Sequence, residues 1–207
     1  MQDAELIQLI FSLAILMFSV VAHEVSHGYM AQYLGDPTAR LAGRLTMNPL
    51  RHLDPVGSVI VPVSLALLGG PIFGWAKPLP YNPYNLLDQK WGDAKVALAG
   101  PLANLGIALL FGLILRFGGT ALSDPVQVIL SLIVFINIIL AVFNLVPIPP
   151  LDGSKVLFNT LPLRYRYVEE YFQRYAMLFI LVFVFFLWRF FLPLLYFIYY
   201  LIVGSPA

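Results

Sequence analysis

The chain of 207 residues contains no cysteine, so it has neither a disulfide framework nor a thiolate metal site, and any zinc must be held by histidine and carboxylate. Charge is scarce as well. Only 11% of residues are Asp, Glu, Lys or Arg, the formal net charge is +1, and no basic run or aromatic-basic platform is present, which argues against a nucleic-acid partner. No small-residue cleavage site follows the first apolar run, and the start, Met1-Gln2-Asp3-Ala4-Glu5, is acidic, so that run is expected to persist as an uncleaved span. Hydrophobic residues make up 60% of the chain and the mean hydropathy is +0.84, the profile of a polytopic membrane protein in contact with lipid.

Four stretches are long and apolar enough to cross a bilayer: about 6–34, 94–117, 126–147 and 175–203. Each approaches or exceeds the ~20 residues that a ~30 Å hydrocarbon core requires. A fifth, about 56–75, is apolar but broken by Gly57, Pro62, Gly69, Gly70, Pro71 and Gly74. If that stretch dips in and returns, Arg40, Arg44 and Arg51 join Lys77, Lys90, Lys95, Lys155, Arg164, Arg166 and Arg174 on one side, and Arg116 stands alone on the other. A full crossing divides them less cleanly. The expected fold class is therefore an all-α polytopic membrane protein over 1–207 with about four full transmembrane helices and a re-entrant or broken segment. Its N-terminus is expected outside, with the loops at 35–93 and 148–174 facing the cytoplasm. Irregular backbone at membrane depth is tolerated where it is buried in protein or lines a cavity.

Inside the first span lies His23-Glu24-Val25-Ser26-His27. Two imidazoles four residues apart share one face of an α-helix and can hold one Zn²⁺, with the carboxylate beside the first within reach of a water on the metal. Ionisable residues near the bilayer centre cost on the order of 2.5 kcal/mol or more, so their presence there is a functional signal. His27 lies about seven residues before the cytoplasmic end of the span, roughly 10 Å below that surface at 1.5 Å per residue. A third ligand is then expected from the cytoplasmic end of another span. The run Asn144-Leu145-Val146-Pro147-Ile148-Pro149-Pro150-Leu151-Asp152-Gly153 follows the third full span. Its prolines stop the helix, and Gly153 permits a tight turn that could return Asp152 toward the zinc. His52 and Asp54 are rival ligands. The plainer reading is that Asp54 fixes the turn before Pro55 and His52 is a solvated or supporting group, while Asp36 and Asp54 pair with the arginines of their own loop.

These residues resemble the site-2 protease family of intramembrane zinc metalloproteases (the M50 type). The likeness rests on His23-Glu24-Val25-Ser26-His27-Gly28 and on Asn144-x-x-Pro147-x-x-x-Leu151-Asp152-Gly153. Weaker elements are Gly74-Trp75-Ala76-Lys77-Pro78 and Ala99-Gly100-Pro101-Leu102-Ala103-Asn104. Ser154 departs from the family's second glycine. No segment is long enough to hold a PDZ or CBS domain, so the short form is expected. The resemblance implies one Zn²⁺ per chain on His23, His27 and Asp152, with Glu24 as general base and then acid. It also implies Asn144, and more weakly Asn104, near substrate backbone or the oxyanion. The other reading of Asn144 is a contact at the broken helix end, and of Asn104 an inter-helix hydrogen bond on the small-residue face of Ala99, Gly100, Ala103 and Gly106. The implied activity is endopeptidase cleavage in or near a transmembrane segment of a membrane-protein substrate, in regulated intramembrane proteolysis at a prokaryotic cytoplasmic membrane.

Thr38 to Met47 alternates loosely and is expected as a short membrane-surface hairpin, with Trp75 to Pro80 a second extended piece; either could hold an unwound substrate by β-augmentation. The last stretch would be about 43 Å long as one helix, so it either tilts or breaks near Pro193. A metal-ion transporter or metal-sensing membrane protein is the rival function. It would need polar groups strung along several spans, where 94–117 and 126–147 offer Asn104, Asn137 and Asn144, with Arg116 at an end.

Overall fold

The computed structural model describes residues 2–61, 64, 77–162 and 166–204, and among them there is no strand. Most of the 56–75 stretch, and with it the re-entrant reading, lies outside the described residues. Only its first turns are seen, a π-helical Pro55–Ile60 whose start Asp54 caps by accepting from the Val56 and Gly57 N–H groups at 2.9 and 2.7 Å.

Among the described residues, three helices are long and apolar enough to cross a membrane. α1, Gln2–Tyr33, stops where Gly35 turns left-handed at φ 106°. The Asp36 N–H then returns to the Ala31 carbonyl and the Gly35 N–H to Gln32, a Schellman closure that only glycine adopts without strain. α2 is a single turn, Thr38–Leu41. α3, Gly92–Gly118, runs back through the bundle with Pro101 inside it, and α4, Asp124–Asn144, starts with Pro125 in its first turn. α5 (Asp152–Thr160) and α6 (Arg166–Arg174) follow, then α7 (Ala176–Val182) and α8 (Leu192–Val203).

The core gathers Ala108 and Leu115 of α3, Leu130, Val134, Ile138 and Val142 of α4, and Leu195, Tyr199 and Val203 of α8. At Gly112 a β-carbon would strike Ile202, so the glycine sets how closely α8 approaches α3. Arg116 closes the end of α8 by donating to the Leu201 carbonyl at 2.9 Å. Because α1 runs antiparallel to α3, the last described residues lie on the same side of the bundle as the start of α1.

Two expectations change. Thr38–Met47 is not a hairpin. Asp36 accepts from the Thr38 N–H and hydroxyl, Pro37 opens a helical turn, and Gly43, at φ 65°, ends it with the Arg44 N–H on the Ala39 carbonyl. An acidic cap, a proline and a glycine six residues on are helix start and stop signals that outweighed the loose alternation. Nor does Asp36 pair with arginine: its carboxylate accepts from Thr38, Asn82 and Asn85. The final stretch is broken. α7 passes through a π turn (Phe183–Leu187) and a 3₁₀ turn (Trp188–Phe190) before α8 restarts with Pro193 in its first turn. Arg189 is exposed at this break, its guanidinium 5.0 Å from the Phe190 ring. A further bend of 69° separates Tyr167–Arg174 from Ala176–Phe190.

Candidate metal centre

α1 turns His23 and His27 inward, both nearly fully buried, with their rings 4.6 Å apart and almost perpendicular. His23 Nδ1 lies 2.6 Å from Asn104 Oδ1, and His27 Nδ1 lies 2.7 Å from the Val96 carbonyl oxygen. Both partners accept, because the Asn104 amide nitrogen is occupied as a donor elsewhere, so each imidazole carries its proton on Nδ1. Each Nε2 is left with a lone pair. Those two lone pairs meet a third on Asp152 Oδ2, at 3.0 Å from His23 and 3.1 Å from His27. Three buried acceptors converging with no hydrogen among them fit a cation.

Asp152 reaches this point through the compact turn after α4. Val146 and Leu151 pack on Phe183 of the final stretch, and the Leu151 N–H returns to Ile148. Gly153 is required by close approach rather than by a left-handed φ: a β-carbon there would strike the Leu145 and Val146 backbone. A second glycine keeps the space between the donors open. At Gly100 of α3 a β-carbon would stand 2.5 Å from His27 Nε2 and 2.6 Å from His23 Nε2, in the volume that the donors face.

Glu24 stands beside this trio, its carboxylate oxygen within 4.8 Å of both histidine nitrogens. Its Oε2 accepts from the Leu79 N–H at 3.0 Å. Leu79 sits in an irregular strap, residues 77–82, flanked by Pro78 and Pro80, which have no N–H, so its own N–H is the one backbone donor of the Pro-Leu-Pro run. The Lys77 N–H donates to the His52 carbonyl at 2.9 Å, buried Arg44 donates to the Lys77 carbonyl at 2.8 Å, and the Asn82 N–H donates to Asp36 at 2.7 Å. At Gly28 a β-carbon would strike Leu45 and Leu79, so the glycine after the second histidine lets the strap close on α1. Burial pushes the Asp36 carboxyl up, but the hydrogen bonds from Thr38, Asn85 and Asn82 outweigh it and hold it below the usual carboxylate range. Tyr81 donates to Asp93, and burial with that bond pushes its phenol well above the ordinary value.

The sequence is similar to other proteins. Residues 113–187 match the model of Peptidase family M50. The chain is 36% identical over 154 residues to a Bacillus subtilis protein named as a zinc metalloprotease, YwhC, covering 71% of this chain and 67% of the relative. The chain belongs to peptidase family M50. With that membership come peptide hydrolysis as the reaction and zinc as the metal. Further similar proteins are the zinc metalloprotease Rip2 of Mycolicibacterium smegmatis, 35% identical over 68% of this chain, and zinc metalloprotease MJ0392 of Methanocaldococcus jannaschii, 26% identical over 76% of it. The chain spans about two thirds of the first relative, 53% of Rip2 and 37% of MJ0392. No solved structure matches it.

Within this M50 peptidase, His23, Glu24, His27 and Asp152 come together and the two asparagines part company. Asn104 is fully buried behind His23, and its surroundings are those of an inter-helix contact, with the addition that one of its partners is the histidine itself. Asn144 is half-buried at the end of α4, its amide nitrogen 2.9 Å from the Leu140 carbonyl of its own helix. His52 and Asp54 stay outside the site. His52 is buried, with Nε2 on the Thr46 carbonyl at 2.9 Å, and Asp54 caps a helix. The strap's hold on Glu24 was not anticipated from sequence, although the Pro-Leu-Pro run marks the only free N–H there. A cavity of about 850 Å³ opens at the other end of the bundle beside Arg116, Ser131 and Tyr199, and neither histidine nor carboxylate lines it.

Proposed function

We propose that the chain is a single membrane domain acting as a zinc-dependent intramembrane endopeptidase, cutting in or beside transmembrane segments of other membrane proteins. The observation that carries this is the convergence of His23 Nε2, His27 Nε2 and Asp152 Oδ2 at one buried point among apolar helices. His23, His27 and Asp152 would hold the metal, and two imidazoles with one carboxylate leave a fourth position open, the pattern of catalytic zinc. Zinc supplies Lewis acidity there, acidifying water and polarising a peptide carbonyl. Glu24 takes the proton of the attacking water and delivers it to the leaving amide nitrogen. The Leu79 N–H holds Oε2 of Glu24 and so fixes its carboxylate beside the site.

The excess of lysine and arginine at the end of the bundle nearer His27 supports an active site toward the cytoplasm of a prokaryotic membrane. A substrate entering from the bilayer and releasing a fragment on that side would suit regulated intramembrane proteolysis. Asn144, at the membrane-side edge of the turn that carries Asp152, is the candidate contact for substrate backbone. The transporter reading lacks support, since the buried Asn104 and Asn137 bond each other, Ser19 and His23, so their amides are already committed between helices and behind the histidine.

The test co-expresses single-span candidate substrates with wild type, Glu24→Gln and Asp152→Ala, reading cleavage and bound zinc together. Glu24→Gln is expected to keep zinc and lose cleavage, and Asp152→Ala to lose both. Full cleavage by Glu24→Gln refutes the mechanism, and zinc-dependent flux surviving in that variant favours transport.

A further inference from the structure

Three buried polar side chains that take no part in the hydrolysis stand in a row where α1, α3 and α4 meet: Ser19, Asn104 and Asn137. The Asn137 amide nitrogen donates to Ser19 Oγ at 2.9 Å and to the Ile133 carbonyl at 2.8 Å, so both its hydrogens are used. Its Oδ1 therefore faces Asn104, whose amide nitrogen donates to it at 2.8 Å and to the Ser19 carbonyl at 3.2 Å. Asn104 Oδ1 is then left for His23 Nδ1, at 2.6 Å. Each link has one direction, because the Ile133 and Ser19 backbone carbonyls can only accept. Turning either amide over would set oxygen against oxygen in an interior without water.

We propose that Asn137 is a positioning residue for the zinc centre. Through Asn104 it fixes the proton of His23 on Nδ1 and turns the Nε2 lone pair toward Asp152 and His27. His27 provides the internal contrast: its Nδ1 proton goes to the Val96 carbonyl, a backbone group that needs no orienting. Only His23 depends on a relay of side chains, and that relay ends on a helix that contributes no ligand. Asparagines in apolar helices also serve as glue between them, so the decisive readout is the metal and not stability alone.

The inference rests on His23 ligating zinc, as proposed above, so His23→Ala is measured in parallel. The full chain in detergent is titrated with zinc against a chromophoric chelator, and the visible bands of the Co²⁺-loaded protein report ligand geometry. Asn137→Leu, close in shape but without the amide, is expected to weaken zinc about 10- to 100-fold and shift the cobalt bands, as loss of outer-shell support does elsewhere. Asn137→Asp is expected to restore tight binding, because a neutral carboxyl in the apolar interior still accepts from Asn104. The proposal is overturned if Asn137→Leu binds zinc within about threefold of wild type with unchanged cobalt bands, even where its melting temperature falls. If Asn137→Leu does not fold, Ser19→Ala decides, with weaker zinc and shifted bands expected and an unchanged site overturning the relay. Should His23→Ala itself keep wild-type zinc affinity, the ligand assignment fails and the relay with it.

Discussion

Replacing Gly100 by alanine tests the metal centre most directly, because it adds one methyl group and removes none of the donors. That methyl would stand 2.5 Å from His27 Nε2 and 2.6 Å from His23 Nε2, while zinc needs both nitrogens at about 2.0–2.1 Å. The ion and the methyl compete for one volume, so the imidazoles must swing away. In the metal-free protein that swing breaks the bonds to Asn104 and Val96, each contributing about 0.5–1.5 kcal/mol, and alanine returns about 1 kcal/mol of helix propensity. The net change in metal-free stability is thus about 0–2 kcal/mol, whereas zinc binding should fall at least 100-fold, about 2.8 kcal/mol. Gly106→Ala is the matched control, on the same helix with nothing within 4 Å of its added carbon, and it should leave zinc untouched. Chelator competition gives the affinities, and thermal unfolding of the metal-free proteins gives the stabilities. A Gly100→Ala protein that binds zinc within about threefold of wild type would refute the placement of the ion among these three donors.

Other consequences can be measured in the same preparations. Gly153→Ala sets a methyl against the Leu145 carbonyl, a backbone atom that cannot rotate aside, and should cost about 1–3 kcal/mol in thermal stability while displacing Asp152 and lowering zinc occupancy; full occupancy would show that the turn has room. Leu79→Pro removes the N–H that holds Glu24, a bond to a charged acceptor contributing about 1.5–3 kcal/mol, so kcat should fall roughly 10- to 100-fold at unchanged zinc affinity while Leu79→Ala, which keeps the N–H, loses less. Asp36 has a folded-state pKa below its ordinary 3.8, so its contribution is complete above that value and disappears as pH falls below it through the lower folded value. Asp36→Asn should therefore lower the melting temperature at neutral pH and flatten its acid-side decline below about pH 4; a parallel decline in both proteins would contradict this assignment.

The helices were legible because each stretch repeats its own evidence along many residues: long apolar runs, a proline or acidic residue near a start, a glycine at an end. Local signals failed where two of them competed. Thr38–Met47 alternates like a strand, yet Asp36, Pro37 and Gly43 bracket a helical turn, and caps that satisfy backbone groups outweighed a weak pattern. Asp36 seemed destined for the arginines nearest in the chain, but its partners are Asn82 and Asn85, brought to the end of α1 by the strap.

The spacing of His23, Glu24 and His27 on one helix determined that two imidazoles and a carboxylate stand together, since 3.6 residues per turn fixes their relative placement whatever surrounds it. The sequence also singled out Asp152 as the carboxylate after a proline-stopped span. Tertiary structure alone decided how these halves meet. Leu79, Val96, Gly100, Asn104 and Asn137 are 55 to 114 positions from His23 or Glu24, and no periodicity links them to α1. Helix packing brings together what chain spacing cannot encode, and with it come the tautomers of both histidines, the room for the ion and the hold on Glu24.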